Sequence, residues 1–173
     1  YMGVVFNKGA CVLHMLRRQV GDKAFFGALR TFFRQHRGKR AGLAQLREAM
    51  ERASGQRLRW FFEQWYRRPG SPRISIGWRH PPRKSGQKKT PVYLELRQLQ
   101  PGKAYRLPLT LELYRRGAPA RAKQSKAKRD KAKPQLHSIT LTQKSQTFSV
   151  PFQGDLGEVK IRHAAELLLS VAQ

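Results

Sequence analysis

Residues 6–16 read FNKGACVLHML, and the part from Gly9 to Leu16 has almost no polar face. A helix that is apolar all round is normally buried in a core rather than laid on a surface. We therefore expect a core helix over residues 4–20, ended by Gly21, since glycine favours the conformation that stops a helix.

Three further helices are predicted before residue 69, because apolar side chains recur there every three or four positions. Their apolar positions are, in order, Phe25, Ala28, Leu29, Phe32 and His36; Leu43, Leu46, Met50 and Ala53; and Leu58, Phe61, Phe62 and Trp65. Gly55 is placed to end the third of the four helices, and the breaker Pro69–Pro72 is placed to end the fourth.

Beyond Pro72 the apolar period changes from 3.6 to 2, which predicts about six short strands. Their apolar positions are Ile74, Ile76 and Trp78; Val92, Leu94 and Leu96; Leu107, Leu109, Leu111 and Leu113; Ile139 and Leu141; Phe148, Val150 and Phe152; and Val159 and Ile161. Pro108 indicates an edge strand or a bulge in the longest of them. Residues 164–171 fit either a short helix or a final strand.

These patterns predict an α+β fold in two parts. Residues 1–70 are predicted to be helical. Residues 71–173 are predicted to form a small antiparallel β-sandwich domain, because each strand has one apolar face to bury. No stretch of the chain approaches the ~20 apolar residues of a membrane span, and no signal peptide is recognisable.

Four short motifs, in this order, resemble the gluzincin zinc aminopeptidases, the family of aminopeptidase N and the leukotriene hydrolase. They are residues 6–16 against the pattern Y-x-K-G-A-x-V-x-x-M-L, then Gly21-Asp22-x-x-Phe25-Phe26, Ala53-Ser54-Gly55, and Phe62-x-x-Trp65-x4-Gly70-x-Pro72. The resemblance implies that residues 1–70 are the helical C-terminal part of a thermolysin-like peptidase domain and that 71–173 are the β-sandwich domain after it. It further implies the C-terminal portion of a longer enzyme that removes N-terminal residues from peptides.

Phe6 stands where this family has a catalytic tyrosine. In the family that hydroxyl donates a hydrogen bond to the oxyanion formed as water attacks the scissile carbonyl, whereas a phenyl ring has no donor. Loss of one oxyanion donor costs on the order of 100- to 1000-fold in rate. Tyr1 is a poor substitute, since five residues along a continuous helix rotate a side chain by about 500°. We therefore expect the chain to be inactive on its own.

The sequence has no H-E-x-x-H segment, in which two histidines one helical turn apart bind zinc beside a glutamate base. Its five histidines are His14, His36, His80, His137 and His163, and no two are four residues apart. The single cysteine, Cys11, offers no thiolate zinc site. By resemblance we expect zinc in the full-length parent and none bound by this chain. The expected partners of this chain are the upstream half of the catalytic domain, which would hold the zinc, and a peptide substrate.

The chain is strongly basic, with 36 Lys+Arg against 10 Asp+Glu and a formal net charge of +26. Such a balance favours polyanions through long-range attraction and counterion release. The run at 120–134, ARAKQSKAKRDKAKP, cannot bury anything, and we expect a disordered loop at about 118–135 that joins two strands of one hairpin. Its candidate polyanion-binding residues are Lys123, Lys126, Lys128, Arg129, Lys131 and Lys133.

Two interpretations of this basic run stay open. It is either a solvated extension of the loop or a nonspecific tether to nucleic acid or acidic partners. Separately, Phe6 and the net charge of +26 leave open an alternative function, in which the protein is a catalytically inactive pseudo-peptidase scaffold that binds nucleic acid or acidic partners through its basic surface. The run contains no aromatic residue, which argues against a stacking platform for single-stranded nucleic acid within it.

Overall fold

A computed structural model describes residues 8–82, 87–116, 133–164 and 169–172. They belong to two compact units, of which the first contains residues 8–70 and the second contains residues 71–164 and 169–172. Helices make up the first unit and strands make up the second. The predicted α+β class is therefore confirmed. No helix among the described residues is long and apolar enough to span a membrane.

The first unit has four helices, which the sequence pattern predicted in this order. They are α1 (Gly9–Val20), α2 (Asp22–His36), α3 (Leu43–Ser54) and α4 (Arg59–Phe62), and one turn of π-helix (Glu63–Arg67) extends α4. Gly21 (φ +84°) separates α1 from α2, and Gly55 (φ +68°) ends α3 in the left-handed conformation that glycine adopts most readily. The predicted start of α1 at residue 4 lies outside the described residues.

The core of the first unit takes side chains from every helix. The buried apolar side chains are Val12, Met15, Leu16, Phe25, Ala28, Ala49, Met50, Leu58, Phe61, Phe62 and Trp65. The prediction that α1 is buried on all sides is wrong, because Leu13 is 37% exposed. The helices of this unit cover only the side of α1 that carries Val12 and Leu16. Leu43 and Ala53 of α3 are likewise exposed, whereas Met50 is buried as predicted and Ala49 is buried beside it.

The second unit contains two sheets. Its strands are β1 (Arg73–Arg79), β2 (Thr90–Gln98), β3 (Leu107–Arg115), β4 (Gln135–Leu141), β5 (Ser145–Phe152), β6 (Leu156–Ile161) and β7 (Ser170–Ala172). The strand order is β5-β2-β1-β7 in one sheet and β4-β3-β6 in the other. All pairs are antiparallel except β1 with β7, which is parallel. Within the ambiguous segment 164–171, the end is a strand.

Each sheet has one buried face, which follows from the period of two in its strands. On β2 the buried positions are Thr90, Val92, Leu94, Leu96 and Gln98, and on β3 they are Leu107, Leu109, Leu111 and Leu113. The intervening residues are exposed or half-buried. Successive side chains of a strand point to opposite sides, so this alternation gives each sheet its apolar face.

Pro108 was expected to mark an edge or a bulge, but β3 is the central strand of its sheet. The irregularity of β3 lies between Tyr114 and Arg115 instead. Pro108 is tolerated because β6 begins to pair with β3 only at Leu111, while on the other side Pro108 faces Thr140 of β4. The Arg162 N–H donates to the Thr110 carbonyl at 2.8 Å, so Thr110 and, two residues earlier, Pro108 direct their backbone polar groups to the β6 side. The described part of β6 does not reach Pro108, and no ladder hydrogen bond is lost there.

Gln98 is a buried polar side chain, 5% exposed, that joins two loops of the second unit. Its Nε2 donates to the Tyr105 carbonyl at 2.8 Å and to the Gln143 carbonyl at 3.1 Å, and its Oε1 accepts from the Tyr105 N–H at 2.8 Å and from Gln100 Nε2 at 2.8 Å. All four hydrogen-bonding positions of the amide are thereby satisfied. The β2–β3 loop and the β4–β5 turn are fixed to the same side chain.

Candidate active-site helix

Most of the site residues predicted from the sequence lie outside the described part of the chain. Phe6 and Tyr1 precede it, and Lys123, Lys126, Lys128, Arg129 and Lys131 fall in the undescribed range 117–132. Lys133 is described and exposed, two residues before β4. Strands β3 and β4 are antiparallel neighbours, so the basic run does connect the two strands of one hairpin.

The helix α1 is the described element closest in sequence to Phe6, because it begins at Gly9. Val12, Met15 and Leu16 fix it in the core with exposures of 1%, 6% and 0%. A helix held at these three positions cannot rotate about its axis without opening a cavity, which core packing resists. Any group at the N-terminal end of α1 is therefore attached to a rigid element.

The C-terminal end of α1 is tied to the start of α2 by an ion pair. Arg17 donates from Nε to Asp22 Oδ1 at 2.8 Å and from Nη2 to Asp22 Oδ2 at 2.7 Å, a two-pronged geometry. The hydrogen bond from Arg17 holds the pKa of the Asp22 carboxyl below its usual range, and the same bond raises the pKa of Arg17. The guanidinium also lies 5.0 Å from the centre of the Phe26 ring.

A second set of polar contacts ties α1 to the segment between α3 and α4. Gln19 Nε2 donates to Gln56 Oε1 at 2.8 Å, and Gln56 Nε2 donates back to the Gln19 carbonyl at 3.1 Å. The Gln56 N–H in turn donates to the Ser54 hydroxyl at 3.3 Å. These hydrogen bonds fix the end of α1 to the segment after α3.

The π-helical turn after α4 is packed through its aromatic residues. Tyr66 stacks on Phe62 with ring centres 5.5 Å apart and planes at 16°, and Trp65 lies 6.4 Å from Phe61. Burial raises the pKa of the Tyr66 hydroxyl. Phe61, Phe62 and Trp65 are all buried, in line with the packing role that their spacing predicted.

The described residues do not fit a zinc site. Across residues 8–82, 87–116, 133–164 and 169–172, no three His, Cys, Asp or Glu side chains are grouped as metal ligands would be. His80 has structural partners: its Nε2 lies 2.6 Å from Thr90 Oγ1, and its Nδ1 accepts the Leu156 N–H at 3.4 Å. Accepting at Nδ1 leaves Nε2 protonated, so the ring donates to the threonine.

The first unit is similar to a known protein family. The model of the peptidase family M1 domain matches residues 1–65. The chain is 36% identical over 72 residues to aminopeptidase N of Lactococcus lactis subsp. lactis, covering 42% of this chain and 8% of that protein. It is 28% identical over 119 residues to aminopeptidase N of Escherichia coli K12, covering 66% of this chain and 13% of that protein.

The fold has a counterpart among solved structures. The crystal structure of Legionella pneumophila aminopeptidase A in complex with aspartic acid superposes on the whole chain with a TM-score of 0.73 at 16% identity, and the chain covers 18% of it. At this identity the likeness concerns the fold alone. The chain thus spans less than a fifth of the length of each of these relatives.

Proposed function

We propose that this chain, whose residues 1–65 match the model of the peptidase family M1 domain, belongs to that family and is one part of a zinc aminopeptidase that removes N-terminal residues from peptides. The observation that carries the proposal is the match of residues 1–65 to the family domain, together with the similarity of 72 residues of the chain to aminopeptidase N of Lactococcus lactis subsp. lactis. Residues 1–70 would then be the helical end of a thermolysin-like domain, and residues 71–173 the β-sandwich that follows it.

The residues of this chain indicate which parts of the active site it would supply and which would come from the rest of the protein. M1 aminopeptidases are zinc-dependent, and in them the metal activates the attacking water. The described residues offer no ligand set for it, so the ligands, the general base and the groups that bind the substrate's amine would come from the rest of the catalytic domain. This chain would contribute α1 as a rigid support behind the position of Phe6.

An inactive scaffold is the second candidate. In that case the protein would keep the peptidase fold without its activity and would bind nucleic acid or acidic partners through its basic surface. The net charge of +26 and the phenylalanine at position 6 favour this function. Zinc binding and turnover separate the two candidates, because a scaffold needs neither.

The deciding experiment measures zinc content and aminopeptidase activity of the natural gene product that contains these 173 residues. A panel of fluorogenic aminoacyl substrates covers acidic, basic, aromatic and small N-terminal residues, and the isolated 173-residue chain is the control, expected to be inactive. Stoichiometric zinc with turnover that chelation abolishes supports the peptidase. Absence of both zinc and turnover in the folded gene product overturns it in favour of the scaffold.

A further inference from the structure

One side of α2 carries cations and aromatic rings in alternation. We call it the basic–aromatic stripe and define it as Lys23, Phe26, Arg30, Phe33 and Arg34. These residues follow one another at spacings of three or four, with Arg34 completing an i,i+4 pair with Arg30, so they share one side of the helix. All five are exposed, Phe26 at 42% and Phe33 at 67%.

The two rings of the stripe are held in place from beneath. Phe26 stands edge-on to the buried Phe25, with ring centres 5.4 Å apart and planes at 84°. Phe33 stands in the same way on the half-buried Phe32, at 5.7 Å and 77°. Each outer ring is therefore oriented by packing against its neighbour.

The cations of the stripe are available to bind an anionic ligand. Among the described residues, no carboxylate lies within ion-pair distance of Lys23, Arg30 or Arg34. The only acidic residue of α2 is Asp22, and its carboxylate is occupied by Arg17. The stripe is thus a surface of uncompensated positive charge on a chain whose net charge is +26.

We propose that the basic–aromatic stripe binds single-stranded nucleic acid, with Lys23, Arg30 and Arg34 on phosphates and a base stacked on Phe33. The Arg17 guanidinium already covers one face of Phe26, which leaves that ring its other face for a second base. Sequence-tolerant single-strand sites combine these two elements, a cationic track and aromatic faces for successive bases. From Lys23 to Arg34 the helix rises about 16 Å, enough for a short run of nucleotides. The inference does not depend on peptidase activity.

The alternation itself favours this ligand over other polyanions. A helix that lies on a membrane needs a continuous apolar face, whereas here Arg30 lies between the two rings and would be carried with them into the lipid. A nucleic acid duplex offers phosphates but buries its base faces, so the rings would have no role. A single strand uses both the charges and the rings.

The test measures binding of the 173-residue chain to a fluorescein-labelled 12-mer of deoxythymidine, with the same length of duplex and phosphatidylserine vesicles as competing probes. Phe33→Ala and Phe33→Leu are each expected to weaken single-strand binding about tenfold, because stacking is lost in both. Arg30→Gln with Arg34→Gln is expected to reduce the slope of log affinity against log salt by about 1.4.

The matched control is the double variant Arg52→Gln with Arg57→Gln, which removes two exposed arginines of the same unit outside the stripe. It is expected to keep both the affinity and the salt slope, and thermal unfolding verifies that every variant is folded. Equal losses in the control and the stripe variant overturn the proposal, as does duplex binding as tight as single-strand binding. Vesicle binding that Phe33→Leu retains and Phe33→Ala loses, without single-strand binding, would assign the stripe to lipid instead.

Discussion

The backbone N–H of Leu58 donates a hydrogen bond to the carboxylate of Glu51, with 2.6 Å between N and Oε1. Glu51 is on the last turn of α3, and Leu58 is the fully buried residue that precedes α4. The bond therefore fixes the angle at which the chain enters α4. It also satisfies one of the N–H groups that a helix leaves unpaired at its start.

Glu51→Ala is expected to lower the free energy of unfolding by about 1.5–3 kcal/mol, the range for a hydrogen bond to a charged group. Glu51→Gln keeps an oxygen acceptor and should lose less. Glu48→Ala, at an exposed position of the same helix, is the control. Urea unfolding measures all three, and equal losses for the alanine and glutamine variants would show that the hydrogen bond does not matter.

Substitution of glycine by alanine is expected to change the stability in opposite directions at Gly157 and Gly27. A Cβ on Gly157 would lie 2.8 Å from Arg116 Cα and 3.0 Å from its backbone N, so Gly157→Ala must push two backbones apart. A Cβ on Gly27, inside α2, meets nothing within 4 Å. We expect Gly157→Ala to destabilise by about 1–3 kcal/mol and Gly27→Ala to stabilise by about 0.5–1 kcal/mol.

Thermal and urea unfolding of both glycine variants check this pair of predictions. The close approach at Gly157 occurs beside the irregularity between Tyr114 and Arg115, where glycine commonly marks backbone contact. A neutral Gly157→Ala variant would mean that β6 shifts to make room. A shift of that kind would be visible as changed amide chemical shifts along β3.

Phe6→Tyr tests whether Phe6 occupies the oxyanion position. In the zinc-loaded natural gene product the new hydroxyl should raise kcat by about 100- to 1000-fold, because it restores one hydrogen-bond donor. The change should appear in kcat more than in KM, since the donor acts on the transition state. Zinc bound without any gain in kcat would contradict the assignment of Phe6, and Phe6→Leu serves as the matched variant without a ring.

The surroundings of His137 are expected to make the stability of the protein depend on pH. Its Nε2 is shielded from solvent and has no hydrogen-bond partner within the described structure, and burial, assisted by the charge of Lys89, lowers the pKa of the imidazole. The unfolded chain therefore takes up the proton first, near the ordinary pKa of about 6.5. Stability is present above that pH, falls as the pH drops below it, and levels off below the folded-state pKa.

Urea unfolding at pH 7.5 and pH 5.5 measures the effect of His137. His137→Leu should remove part of the loss seen at pH 5.5. Lys89→Gln should reduce it, because the pKa of His137 rises towards its ordinary value when the neighbouring charge is removed. A His137→Leu variant with the same pH dependence as the unaltered chain would contradict the prediction.

The local part of the fold could be predicted from the sequence. The four helices and six of the strands follow from apolar periods of 3.6 and 2, and Gly21 and Gly55 end their helices where predicted. The pairing of strands could not be predicted, because partners such as β2 and β5 are far apart in the chain and their pattern carries no information about order. The π-helical turn at Glu63–Arg67 likewise has no signature in the period.

The candidate site was harder to predict than the fold. In α2 Phe25 is buried and Phe32 is half-buried, and the sequence does not distinguish them from their neighbours Phe26 and Phe33, because either member of an adjacent aromatic pair fits an apolar helix equally well. Only the exposures distinguish the two members of each pair. A sequence signal was present all the same, since Lys23, Arg30 and Arg34 recur with Phe26 and Phe33 at helical spacing. Phe6 itself lies outside the described residues, so its position rests on the motif.

The parallel pairing of β1 with β7 has a consequence for how the protein is made. Arg73 of β1 meets Ser170 of β7, and at about 5–20 residues per second the ribosome needs about 5–20 s to supply the roughly one hundred residues between them. During that time β2 can pair with one side of β1 while the other side has no partner. An open strand edge invites association with other nascent chains. Arg73 and Arg79 put a positive charge at each end of β1, and charged side chains on an edge strand disfavour its pairing with another chain.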